Sequence, residues 1–110
     1  MLASGMLAIS PAMAQDVVSF TTSKQIGETV TLQVNQPASG SIQVDWGDGV
    51  PVTVASTEDA LLTITGEIKD QSFSISSTSR IETLICDNQS LTAINLSQAK
   101  NLTSIYCQNN

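Results

Sequence analysis

Residues 81–110 read IETLICDNQSLTAINLSQAKNLTSIYCQNN, and one short apolar pattern occurs in them three times. The copies IETLIC, residues 81–86, and LTSIYC, residues 102–107, align apolar with apolar residues at an offset of 21. Asn88 and Asn109 keep this offset, and LTAINL, residues 91–96, repeats the apolar spacing between the two copies. A fixed period of about 20 to 29 residues with this spacing predicts a leucine-rich-repeat solenoid, in which each repeat adds one rung to a continuous core.

Alternation within each copy assigns its residues to two sides, because neighbouring residues of a strand face opposite ways. One residue of each copy is expected to point away from the core: Thr83, Ala93 and Ser104. The apolar positions are predicted to form the repeat core: Ile81, Leu84, Cys86, Leu91, Ile94, Leu96, Leu102, Ile105 and Cys107.

The segment resembles the 21-residue leucine-rich repeats of secreted and surface proteins of Bacteroidetes and of the internalin J type, where Cys replaces one core Leu and stacks as a ladder. Residues 91–97, LTAINLS, and 105–110, IYCQNN, follow that repeat closely. The first copy departs from it at Gln89, where the family prefers Asn, and at Glu82, where it prefers Thr. The resemblance implies extracellular binding or adhesion and names no ligand.

Two cysteines lie one period apart, at Cys86 and Cys107, so the repeat places them on adjacent rungs about 4.8 Å apart. Parallel side chains fit the torsion of a disulfide poorly, which favours buried free thiols that pack as small hydrophobic groups. A disulfide is the alternative, because an exported protein can form one. A catalytic cysteine is strongly disfavoured, because the chain has no histidine to activate it.

Upstream of the repeats, between Val17 and Arg80, short runs alternate apolar and polar residues. The runs recur about every ten residues, which predicts an all-β fold with a small immunoglobulin-like sandwich. A single helical turn over residues 56–62 is expected to be only a connector. The predicted strands are residues 17–20, 29–34, 42–46, 50–54, 61–65 and 73–76.

The sequence VDWGDG, residues 44–49, has the chemistry of a tight turn. Gly47 and Gly49 allow positive φ, Asp48 is expected to accept hydrogen bonds from nearby backbone amides, and Trp46 to pack on the core. A calcium site at Asp45 and Asp48 is disfavoured, because calcium takes about six to eight oxygen ligands. The motif resembles the W-G-D-G turn of PKD-like modules that precede such repeats in surface proteins.

The first 14 residues have the pattern of an export signal, with an apolar stretch and a small-x-small site before Gln15. No basic residue precedes Lys24, so we expect Met1 to lie inside a longer natural signal. The predicted organisation is a signal peptide over residues 1–14, a PKD-like sandwich over 15–79 and the start of the repeat array over 80–110. The chain ends inside a repeat, which predicts the N-terminal part of a longer protein.

The composition narrows the function. A net charge of −6 opposes binding to nucleic acid, and no stretch after the signal has the length of a membrane span. No metal ligand set, cofactor or catalytic group is predicted, so the chain is not expected to be an enzyme. The predicted function is a secreted or cell-surface binding or adhesion protein that recognises an extracellular protein or glycan through its repeats. The alternatives are a non-catalytic stalk of a surface hydrolase and a structural spacer.

Overall fold

A computed structural model describes residues 16–36, 41–55 and 61–110. Within these ranges the chain forms β-strands and no helix, so the fold is all-β. The strands are β1 (Asp16–Thr22), β2 (Thr29–Asn35), β3 (Ser41–Asp45), β4 (Val52–Ala55), β5 (Leu61–Glu67), β6 (Ser72–Ser77), β7 (Thr83–Ile85), β8 (Leu91–Gln98) and β9 (Ser104–Tyr106).

The strands form two sheets that pack face to face. Sheet one has the strand order β4-β3-β6-β1-β8, and sheet two has the order β5-β2-β7-β9. Neighbouring strands are antiparallel in both sheets, except that β7 and β9 are parallel. This arrangement agrees with the β-sandwich that the alternating runs predict.

All six strands predicted upstream of the repeats are present, with small shifts at their ends. The fourth run begins at Val52 rather than residue 50, because Pro51 has no amide hydrogen to donate to the ladder. Leu61 and Leu62 belong to β5 rather than to a helical connector, and residues 56–60 lie outside the described residues. The predicted signal peptide, residues 1–14, also lies outside them.

Among the described residues, one hydrophobic core fills the space between the sheets. Strand β1 shows how the sequence builds it, since Val18 and Phe20 alternate inward between more exposed neighbours. The ring of Phe20 stacks on that of Phe73 with centroids 5.0 Å apart, and Trp46 packs on Phe73 at 5.9 Å. Each such buried side chain stabilises the fold by about 1.5 to 3 kcal/mol relative to exposure.

Residues 80–110 extend both sheets of the sandwich. Strands β7 and β9 join sheet two, and β8 joins sheet one beside β1, so the chain passes from one sheet to the other and back. Ile81 and Leu84 are completely buried in the same core as the upstream strands. The two predicted regions, 15–79 and 80–110, therefore share one core wherever the structure describes them.

The first strand also ties the repeat segment to the sandwich through a buried carboxylate. The backbone amide of Ile81 donates to Asp16 Oδ2 at 2.6 Å, and the Asn101 amide donates to Asp16 Oδ1 at 3.2 Å. Asp16 thus accepts one hydrogen bond from the start of the repeat segment and another from the connection before β9.

No helix in the described ranges is long and apolar enough to cross a lipid bilayer.

Candidate functional site

The two outer copies of the repeat pattern lie side by side in sheet two. Strand β7 pairs with β9 in parallel, and the register joins Thr83 to Ser104, Leu84 to Ile105 and Ile85 to Tyr106. Each pair is separated by 21 residues, which is the period seen in the sequence. Parallel strands need a crossover, and β8 in the opposite sheet supplies it.

Hydrogen bonds outside the strands follow the same offset. The Thr103 hydroxyl donates to the Glu82 carbonyl oxygen at 3.1 Å, and the backbone amide of Gln108 donates to Asp87 Oδ1 at 2.7 Å. The turns after β7 and β9 also share a conformation, because Asn88 and Asn109 have φ values of 62° and 59°. Asparagine tolerates this left-handed conformation better than most residues do. The repeat therefore extends from the strands into the turns.

Asn110 holds the turn of the preceding copy in place. Its Oδ1 accepts hydrogen bonds from the backbone amides of Gln89 at 2.9 Å and Leu91 at 3.1 Å. Its Nδ2 donates to the carbonyl oxygens of Cys86 at 3.0 Å and Cys107 at 2.9 Å. One side chain therefore supports the backbone of two successive copies.

Gln89 occupies the position in the first copy that Asn110 occupies in the second. Its Oε1 accepts a hydrogen bond from the backbone amide of Thr31 in β2 at 2.9 Å, and its Nε2 donates to the Asp87 carbonyl oxygen at 2.8 Å. The longer side chain joins the first copy to an antiparallel strand of the sandwich. The sequence marked Gln89 only as a departure from the repeat and did not indicate this contact.

The outer face of sheet two carries two rows of side chains, which we call the repeat face. The alternation of each strand puts these residues on the side away from the core. Tyr106 and Leu61 are both 49% exposed. One row runs Thr63, Gln33, Ile85, Tyr106, and the other runs Leu61, Asn35, Thr83, Ser104.

Burial of the predicted repeat core falls from the first copy to the last. The structure buries Ile81, Leu84, Cys86 and Leu91, and leaves Ile94, Leu96 and Leu102 partly buried against the same core. Ile105 is 36% exposed and Cys107 is exposed, although both were expected in the core. The cause is that β9 is the edge strand of sheet two and has a neighbour on one side only. The predicted outward residues are half-buried or exposed: Thr83, Ala93 and Ser104.

Neither cysteine is bridged, and their surroundings differ. Cys86 is buried, and its pKa is raised from 9.0 to about 12. Burial is the largest cause, and the neighbouring Cys107 and Asp87 raise the pKa further. The Cys86 thiol is therefore protonated at neutral pH and packs as an apolar group. Cys107 is exposed at the edge.

Backbone amides and two aspartates build the turn after β3. Asp45 Oδ1 accepts hydrogen bonds from the amides of Gly47 at 2.8 Å and Gly49 at 3.0 Å, and Asp48 Oδ1 accepts one from Val50 at 3.0 Å. Both glycines have positive φ, 112° and 76°. Trp46, at the start of the turn, packs in the core. Core packing and the hydrogen bonds of the two aspartates therefore both hold the turn in place. Asp45, for which the sequence predicted no such role, holds more of the turn than Asp48.

The described residues contain no cluster of three or more His, Cys, Asp or Glu side chains that could hold a metal ion. No protein-family model, curated protein or solved structure matches this chain. The candidate site is therefore the repeat face together with the stacked turns that support it.

Proposed function

We propose that this chain belongs to an extracellular binding or adhesion protein, in which the sandwich begins a leucine-rich-repeat solenoid. The repeat face is proposed to contact an extracellular protein or glycan. The observation that carries the proposal is the parallel pairing of β7 with β9 at an offset of 21 residues. Export through the segment of residues 1–14 is part of the same proposal.

The sandwich is suited to support the first rung of such a solenoid. Strand β2 covers one side of β7 and pairs with it from Gln33 to Asn35. Gln89 connects the same strand to the first turn. A lone repeat cannot bury its apolar side, and here the sandwich provides the missing neighbour.

The repeat face has the composition of a contact surface. Its two rows contain no charged side chain, and they combine the exposed Tyr106 and Leu61 with hydroxyl and amide groups. Tyrosine is enriched at protein interfaces because one side chain supplies both apolar area and a hydrogen-bonding group. A ligand on this face would be held by packing and neutral hydrogen bonds rather than by ion pairs.

Surface plasmon resonance with the immobilised chain tests the proposal against collagen, fibronectin and mucin glycans as probes. We expect saturable binding to at least one probe, weakened about tenfold or more by Tyr106→Ala, as is typical of a tyrosine that anchors an interface. Val50→Ala is the matched control, because Val50 is 63% exposed and lies outside the repeat face. No binding to any probe, or equal losses in both variants, would contradict the proposal and favour a stalk or spacer.

A further inference from the structure

A second row of polar side chains crosses the opposite sheet. On the outer face of sheet one, the registers of β3 with β6, β6 with β1 and β1 with β8 align four residues: Asp45, Ser74, Ser19 and Asn95. Adjacent strands are about 4.8 Å apart, so the row spans about 14 Å.

The row lies at the bottom of a shallow trough, because its two central residues are short. One hollow of about 330 Å³ lies toward Gly47 and Ser72, and another of about 290 Å³ lies toward Ser97 and Gln98. Both hollows are lined by Ser19 and Ser74, so they adjoin each other along the row. We call the two adjoining hollows the serine trough.

The trough offers hydrogen-bonding groups that the described part of the chain leaves free. The hydroxyls of Ser19 and Ser74 bond to no other described side chain or backbone group. Asp45 uses Oδ1 for two backbone amides, and its other oxygen remains free among the described residues. Asn95 accepts a hydrogen bond from the Ser97 amide at 2.9 Å through Oδ1, which leaves its NH₂ group available as a donor. Across the row, an acceptor, two hydroxyls and a donor follow one another.

We propose that the serine trough binds a short neutral oligosaccharide along this row. Sugar hydroxyls both donate and accept hydrogen bonds, so they match a carboxylate, two hydroxyls and an amide in series. The described residues that line the trough include no basic side chain, and the chain carries a net charge of −6, which disfavours uronic, sialylated or sulfated sugars.

A protein partner fits the trough less well than a sugar. The exposed large hydrophobic residues of the described chain all lie outside the trough. The trough therefore lacks the exposed apolar centre that a protein interface has. Hydrogen bonds open to water contribute little net affinity, and we expect a dissociation constant on the order of 1 mM. The inference is independent of the proposed function, because the repeat face lies on the other sheet.

Amide chemical shifts of the isotope-labelled chain test this inference. The probes are cellohexaose, laminarihexaose, xylohexaose and mannohexaose, each at about 10 mM, with oligogalacturonate as the acidic comparison. We expect saturable shifts centred on Ser19, Ser74 and Asn95 with at least one neutral probe, and much weaker ones with oligogalacturonate. Absence of shifts with all four neutral probes, or equal affinity for oligogalacturonate, overturns the proposal.

Variants locate the binding. Ser74→Val fills the trough, keeps high strand propensity and should weaken binding about tenfold or more. Asn95→Ala, at an exposed edge position, removes the donor without filling the trough and should weaken it about threefold to tenfold. Thr29→Val on the exposed side of β2 is the control and should leave affinity unchanged. Shifts centred on Ser104 and Tyr106 instead would assign glycan binding to the repeat face and overturn the trough proposal alone.

Discussion

Leu84 in β7 and Ile105 in β9 hold the same position in two copies of one sequence pattern, yet Leu84 is fully buried and Ile105 is 36% exposed. Strand β7 lies between β2 and β9, whereas β9 contacts β7 alone within sheet two. The comparison separates two kinds of information. The pattern specifies which side of a strand a residue takes, and the neighbouring strands decide how completely that side is covered.

The same contrast recurs at the cysteines and in the turns. Cys86 is buried and Cys107 is exposed, although the two are 21 residues apart. Gln89 reaches back to the sandwich, whereas Asn110 reaches back to the first copy. Each copy is therefore supported by what precedes it, and equal substitutions in the two copies should have unequal effects.

The largest difference is expected at the paired core positions. Leu84→Ala should lower the free energy of unfolding by about 2 to 5 kcal/mol, through lost burial and a cavity. Ile105→Ala should lower it by under about 1 kcal/mol, because the side chain is already partly in water. Urea denaturation followed by tryptophan fluorescence measures both values. Equal losses would show that the two copies are equally supported and would break the comparison.

A smaller loss is expected when the tie between sandwich and repeat segment is cut. Asp16→Ala leaves the buried amide of Ile81 without an acceptor, which should cost about 1 to 3 kcal/mol. Amide hydrogen exchange should quicken in β7 and β9 more than in β2 and β5. Asp16→Asn keeps one acceptor oxygen and serves as the control with a smaller change. Uniform quickening in all strands would mean that Asp16 supports the whole sandwich rather than the repeat segment.

The sequence anticipated the parts of this fold that depend on local periodicity. Alternation located the strands from β1 to β6, and the 21-residue period anticipated which residues of β7 and β9 stand opposite one another. The sequence did not predict that β8 lies beside β1, because that pairing joins residues about 70 positions apart, such as Phe20 and Ile94, and has no local signal.

The polar contacts were the least predictable part of the site. Asp16 lies at the start of β1, and nothing in its neighbourhood of the sequence indicates that it accepts hydrogen bonds from Ile81 and Asn101. The serine trough depends on a register across four strands, so no single stretch of sequence contains it. From the sequence, the polar residues of each strand can be predicted only to be exposed. Which of them lie side by side depends on the order and register of the strands in the sheet.

The side-chain amide of Asn110 gives a third test, at the turns. Asn110→Ala removes the acceptor used by the amides of Gln89 and Leu91, which should cost about 0.5 to 2 kcal/mol. Lys100→Ala is the control, since it changes an exposed residue between the copies. Exchange of the Gln89 and Leu91 amides should quicken only in the Asn110 variant. Unchanged exchange there would show that the stacked turns are stable without this side chain.

The smallest effect concerns the ionisation of the two cysteines, and it appears only in alkali. In the unfolded chain the Cys86 thiol has its ordinary pKa of 9.0, whereas burial raises the pKa to about 12 in the folded protein. Below pH 9 both states keep the proton and stability does not depend on this group. Between these two values the unfolded chain binds fewer protons, so the free energy of unfolding falls as pH rises, by at most about 1.4 kcal/mol per pH unit.

Urea denaturation between about pH 8 and pH 10 should therefore show a loss about 1.4 kcal/mol larger in the wild type than in Cys86→Ala. Comparing the change within each protein removes the constant cost of the smaller side chain and the titration of other groups. Cys107→Ala keeps the buried thiol and should retain most of the wild-type pH dependence, because burial is the first cause of the shift. Parallel pH profiles for the wild type and Cys86→Ala would mean that the Cys86 thiol is accessible to water in the folded protein, and the contrast between the two cysteines would then be lost.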